Sequence, residues 1–195
     1  MSVASRLQLP RLVVPLAVLL GLAQAWLTRS FANNDGPSFL DLGEAVASHG
    51  WSAAVNGLYS PLYPVLIGLT LAVIQPVPAA EFAAVHGLNF LLYLGNLAAF
   101  YYLVRSLLTV RANLGAGPPP DTRRFDDLLD ALGFGLCTWA SLKLIGVAQI
   151  IPDLAVSPFV DLTAGLLVRL GSGSYTRATF VLLGFASGWG TWPKP

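Results

Sequence analysis

The sequence predicts an all-α protein: a polytopic transmembrane bundle of about five spanning helices, with interfacial helices in a long first extracytoplasmic loop. Three observations lead there. Of the 195 residues, 55% are hydrophobic and 11% charged, and the mean hydropathy is +0.66. That charged share is about half the usual one for a soluble domain. The apolar residues fall into runs separated by Pro- and Gly-rich or charged breaks. Finally, the basic residues gather at alternate breaks, as they do when cytoplasmic loops carry the positive charge.

The first run, residues 12–28, follows Arg6 and Arg11 and is apolar but for Gln24 near its end. It reads as a first membrane helix with the N-terminus cytoplasmic. The basic start and Ala23-Gln24-Ala25 also describe a signal peptide with its cleavage site, so that alternative stays open. Residues 29–80 then form the outer loop. Asn33-Asn-Asp-Gly-Pro37 has turn composition. Ser38 with Asp41 has the spacing of a carboxylate capping box, and Phe39, Leu42 and Val46 recur at i, i+3 and i+7. These predict an amphipathic helix over 38–48 lying on the bilayer surface. The apolar run Leu62–Ile74 has 13 residues, short of the roughly 20 needed to span. It predicts an interfacial or re-entrant helix entered at Ser60-Pro61.

Residues 81–108, 128–149, 154–170 and 179–192 supply the remaining spans. Counting basic residues sets their orientation. If Leu62–Ile74 does not cross, Arg6, Arg11, Arg105, Arg111, Arg123, Arg124, Arg169 and Arg177 all fall inside. Arg29 and Lys194 are then outside, and Lys143 is at membrane depth. If it does cross, the residues from Arg105 to Arg177 move outside, against the positive-inside bias. The non-crossing arrangement puts Asp35 and Asp153 on one side. Lys143 and Asp161 lie equally far from Pro152 along the chain. At about 1.5 Å per residue, antiparallel neighbours would bring them to one depth, which predicts an ion pair.

The net charge of +1 points to no nucleic-acid partner. The lone Cys137 sits in an apolar run and forms no intrachain disulfide. His49 and His86 have no partners at metal-ligand spacing, and they read as interfacial and helix-packing residues.

Asp35-Gly-Pro-Ser-Phe39-Leu-Asp41-Leu followed by Ser60-Pro-Leu-Tyr63-Pro64 resembles the first extracytoplasmic loop of bacterial GT-C membrane glycosyltransferases, the relatives of protein mannosyltransferase and aminoarabinose transferase. Phe39 stands where that family more often has Tyr. The resemblance runs through the chain but covers only the family's N-terminal part. It implies a single membrane module, 1–195, that is an N-terminal fragment, inactive alone, of a multi-pass enzyme of the bacterial inner membrane. The implied reaction moves a sugar from a polyprenyl-phosphate donor to an extracytoplasmic acceptor, with a divalent metal as the conceivable cofactor and the lipid bilayer as partner.

By the same resemblance Asp35 is the general base and Asp153 a second acidic position that shapes the site or binds a metal. Asp41, Tyr63, Lys143 and Lys194 are the substrate-binding positions, Lys194 through Gly188-Trp-Gly-Thr-Trp-Pro-Lys194. Each charged residue has a plainer alternative: a turn residue for Asp35, a helix-dipole charge for Asp41, a helix cap for Asp153 and a snorkelling helix-end lysine for Lys194. The alternative function is a non-catalytic or degenerate polytopic membrane protein that holds a lipid.

Overall fold

The computed structural model describes residues 9–55, 59–113, 122–173 and 176–190. Within them the chain is all-α, as predicted. It forms α1 (Leu9–Leu27), α2 (Gly36–His49), α3 (Leu62–Ile74), α4 (Glu81–Asn113), α5 (Thr122–Lys143), α6 (Asp153–Gly171) and α7 (Arg177–Gly190). Short 3₁₀ turns occupy Trp51–Ala54 and Pro78–Ala80. Two stretches, Pro78–Asn113 and Asp153–Gly171, are long and apolar enough to cross a membrane.

α4 is the axis. Its 33 residues make a rod about 50 Å long. α6 packs along it most extensively, and α1, α3 and α5 also lie against it. α2 packs on α3, α5 on α1, and α7 on α6. What turns α4 inward is a polar stripe. His86, Asn89, Tyr93 and Asn96 recur at i, i+3, i+7 and i+10, so they share one face, and none is more than 1% exposed. Each finds partners on another element. The Tyr93 hydroxyl donates to Ala17 O of α1 at 3.0 Å. Asn96 Nδ2 donates to Ser141 Oγ of α5 at 3.2 Å, while its Oδ1 accepts from Ser157 Oγ of α6 at 2.7 Å.

Close helix approach depends on glycine. A Cβ on Gly68 of α3 would lie 2.8 Å from Gly43 O of α2, and one on Gly43 would strike the Ile67 side chain. Gly21 of α1 leaves the space that the Tyr93 ring fills. With Ala17 and Ala25 also buried, α1 is a wall of the bundle.

α2 begins two residues earlier than predicted. Pro37 falls in its first turn, where the missing N–H costs nothing, so Asp35 rather than Ser38 occupies the cap position. Its buried face is Phe39, Leu40, Gly43 and Val46, and it packs on α3 rather than lying free for the bilayer surface. Leu62–Ile74 is helical over the predicted bounds.

α5 ends at Lys143, not at residue 149 as predicted. The bonds there widen, with Ile145 N–H reaching Ala140 O at 2.8 Å and Gly146 N–H reaching Ser141 O at 3.0 Å. Gly146 then takes φ +82°, and the chain runs on as a non-helical strap over 144–152. Val147 and Ile150 of this strap are fully buried. The strap also explains why the predicted Lys143–Asp161 ion pair does not form. α5 and α6 each pack on α4 instead of forming an antiparallel pair, and Asp161 lies within electrostatic reach of Cys137. Lys143 is exposed at the end of α5. The ion pair seen among the described residues is Arg105–Asp130, at 3.3 Å.

Asn89 secures the strap. Its Nδ2 donates to Gln149 O at 2.8 Å and more weakly to Val147 O at 3.4 Å, and its Oδ1 accepts from the Tyr63 hydroxyl at 2.8 Å. Asn89→Leu leaves buried groups of the strap and of α3 unpaired. At about 1–3 kcal/mol for each orphaned group, a loss of about 2–5 kcal/mol is expected. Thermal unfolding in detergent checks this, with Tyr63→Phe, which removes one bond, expected to cost less.

Candidate functional site

The C-terminal end of α1, the turn before α2, the strap, and the first turns of α4 and α6 converge at one end of the bundle. Hydrogen bonds tie them together. Gln24 Nε2 donates to Leu142 O at 2.9 Å. His86 Nε2 lies 2.9 Å from Phe31 O and its Nδ1 3.4 Å from Val147 O. Ile150 N–H donates to Asn33 Oδ1 at 2.9 Å, and Gly36 N–H donates to Asn33 O at 2.9 Å. A Cβ on Gly36 would lie 3.6 Å from that of Ile150. The turn that carries Asp35 and the strap that leads into Asp153 are therefore in contact.

Asn33, not Asp35, does the structural work of this turn. Asp35 stands at the N-cap position of α2, yet its side chain makes no capping bond and is exposed. Asp153 is likewise exposed, one residue inside α6, with Pro152 at the cap position. Its carboxylate lies in the first turn of that helix, where the dipole favours negative charge. The end of the bundle thus presents two carboxylates on touching segments, over a rigid buried network. Arg29 is at the same end, its guanidinium 4.5 Å over the Trp26 ring and its Nη1 donating to Trp26 O at 2.7 Å.

The other predicted positions separate. Tyr63 is fully buried and donates to Asn89, and burial drives its phenol pKa upward, so it is a core residue rather than a substrate contact. Asp41 is exposed on α2, near Glu44. Lys143 lines a groove between α1 and α5. Lys194 lies outside the described residues. Among the described residues no three His, Cys, Asp or Glu side chains come together as a metal would require, so the donor set for a divalent metal is not assembled there. Comparison with protein-family models, curated proteins and solved structures finds no match to this chain.

Sequence reasoning passed over Asn33 and Asn89. The signal for Asn89 was present: the 86, 89, 93, 96 spacing puts four polar side chains on one face of an otherwise apolar helix. Asn33 carried none, because its partner Ile150 is 117 residues away.

A second acidic feature lies between α2, α3 and the start of α4. Glu44, Ser48, Gln75 and Glu81 line a cleft of about 270 Å³. Partial desolvation raises the Glu44 pKa above its usual 4.5, and the charges of Glu81 and Asp41 raise it further. The folded state therefore holds this proton more tightly than the unfolded chain. The group's contribution to stability is present below 4.5 and is lost as pH rises through the raised value. Glu81→Gln should lower the Glu44 titration midpoint, though not fully to 4.5, since burial is the larger cause. Carboxyl ¹³C chemical shifts followed against pH read this directly.

Proposed function

We propose that this chain is the membrane module of a GT-C-like glycosyltransferase that moves a sugar from a polyprenyl-phosphate donor to an extracytoplasmic acceptor. The observation that carries the reading is the Asn33–Ile150 junction, which brings the exposed Asp35 and Asp153 segments together at one end of the bundle. In this reading the Asp35 carboxylate accepts the proton of the acceptor hydroxyl. That oxygen attacks the anomeric carbon, the anomeric carbon–phosphate oxygen bond breaks, and the polyprenyl phosphate leaves with the bond's electrons. Arg29 supplies positive charge for the departing phosphate. Asp153 shapes the site. A turn held by Asn33 suits the role, because the base is then fixed in position without being consumed by the fold.

The orientation belongs to the same proposal: five spans, α1, α4, α5, α6 and α7, in a bacterial inner membrane with the N-terminus cytoplasmic. Two features support it. Acidic Asp35, Glu81 and Asp153 are at the starts of α2, α4 and α6, whereas Arg105, Arg111 and Arg169 belong to the far ends of α4 and α6. Retention of positive charge on the cytoplasmic side then gives the acidic end an outward face. α3 stays on the outer side in this reading, because a crossing there would carry Arg105, Arg111 and Arg169 outward.

Asp35→Asn should reduce transfer at least about 100-fold while expression is unchanged. A labelled polyprenyl-phosphate sugar measures it. Retained turnover would remove Asp35 as the base and favour a non-catalytic membrane protein. A cysteine at Gln75, on the left-handed residue that closes α3, should react with an impermeant maleimide from the outside only. Labelling from the cytoplasmic side contradicts the orientation.

A further inference from the structure

Asp161 is the ninth of the 19 residues of α6, one of the two stretches long and apolar enough to cross a membrane. It therefore lies near the middle of that helix, about 12 Å from its first residue. The residues one turn away on either side settle which face it occupies. Ser157 Oγ donates to Asn96 Oδ1 of α4 at 2.7 Å, and a Cβ on Gly165 would lie 2.7 Å from the Tyr102 ring of α4. Residues 157, 161 and 165 share one stripe, so Asp161 stands on the side of α6 that meets α4. It is partly buried there.

No cation answers this carboxylate. Among the described residues it enters no ion pair, and Lys143 is exposed at the end of α5. On α4 the nearby titratable group is the Tyr102 phenol, because Tyr93 turns to α1 and Tyr101 to α5. α5 offers the Cys137 thiol, which is within electrostatic reach. Farther along α4 and α5, Arg105 and Asp130 are taken up with each other. α7 has no titratable side chain after Arg177, its first residue. On α6 itself Asp153 and Arg169 are eight residues away in either direction, and Arg169 is engaged by Ser106 Oγ and the Tyr102 ring. A charged, unpaired carboxylate at membrane depth is costly, and neutralisation relieves the cost. The polar neighbours decide what neutralises it. A metal cation needs several oxygen ligands. The side-chain oxygens on this seam, Ser157 Oγ, Asn96 Oδ1 and Ser141 Oγ, are already committed to hydrogen bonds within the Asn96 cluster. A proton needs no such ligands. We propose that Asp161 is a proton-binding site inside the membrane: one carboxylate oxygen takes a proton from water and holds it as an O–H bond of the neutral acid. The inference depends on the chain lying in a bilayer and is independent of Asp35 and sugar transfer.

Dicyclohexylcarbodiimide, a lipid-soluble reagent that attacks carboxyls in the acid form, tests this on the full chain in phosphatidylcholine vesicles. The acid adds across one C=N bond: its oxygen bonds to the central carbon and its proton passes to nitrogen. Acyl transfer from oxygen to nitrogen then leaves a stable N-acylurea, with nothing expelled. At neutral pH intact-mass spectrometry should show one reagent added, and peptide mapping should place it on Asp161. The label should be lost as the medium is made alkaline, because the reactive acid disappears. Sodium chloride should protect no better than choline chloride. Asp161→Asn should lose the label while circular dichroism stays helical, and Asp161→Glu should keep it. Asp35→Asn should leave labelling unchanged, which separates this site from the proposed transfer reaction. If a variant at position 161 fails to fold, the mapped position in the unaltered chain decides alone. An unlabelled Asp161 at neutral pH, or a label that survives Asp161→Asn, overturns the proposal. Specific protection by sodium does so too, since the occupant would then be a metal cation.

Discussion

The structure depends on side chains satisfying an unwound backbone inside an apolar bundle. Between α5 and α6 the chain abandons helical hydrogen bonding and still buries Val147 and Ile150 completely. In an apolar surround each unpaired peptide group costs several kcal/mol, so such a strap is viable only where protein groups replace the lost helix bonds. Asn89 takes two strap carbonyls and Asn33 takes the Ile150 N–H. His86 and Tyr63 brace those two asparagines' surroundings from α4 and α3. The consequence is that α1, α3, α4, α5 and α6 are joined at one end through a few side-chain amides.

That joining positions the candidate site. Because Asn33 bonds to the strap, the turn it belongs to cannot move independently of α6. Gly36 N–H turns back to Asn33 O, Pro37 at the second helical position has no N–H to offer, and the Asp35 carboxylate makes no capping bond. At the other end of α4 the interactions change character. Arg105 pairs with Asp130, and Arg169 Nε donates to Ser106 Oγ at 3.2 Å while stacking 4.8 Å over Tyr102. The bundle therefore has a neutral amide network under its acidic end and charge-assisted contacts at its basic end.

Much of the secondary structure was legible. α1, α3, α4 and α6 lie close to the apolar runs that predicted them, since helix bounds follow from local punctuation: Pro61 before α3, Gln75-Pro76 after it, Pro152 before α6. The Lys143–Asp161 ion pair failed for a reason invisible in any one segment. Equal spacing from Pro152 implies equal depth only if both flanking stretches are helical and pack together, and neither condition holds. Tyr63 failed similarly, since its place in a loop-to-helix motif said nothing about the asparagine on α4 that receives its hydroxyl.

The sequence by itself determined the all-α class: apolar runs of helical length, broken by Pro, Gly and charge, in a chain of mean hydropathy +0.66. It also determined the ends of most helices and the segregation of acidic from basic breaks, because composition and local geometry decide these. Only the tertiary structure decided which helices are neighbours, that residues 144–152 run as a buried strap, and that Asn33 meets Ile150. Lateral packing is settled by complementarity between distant surfaces, by Gly43 against Gly68 and by Tyr93 against Gly21, and a linear pattern with a period of 3.6 carries no record of which surface faces which.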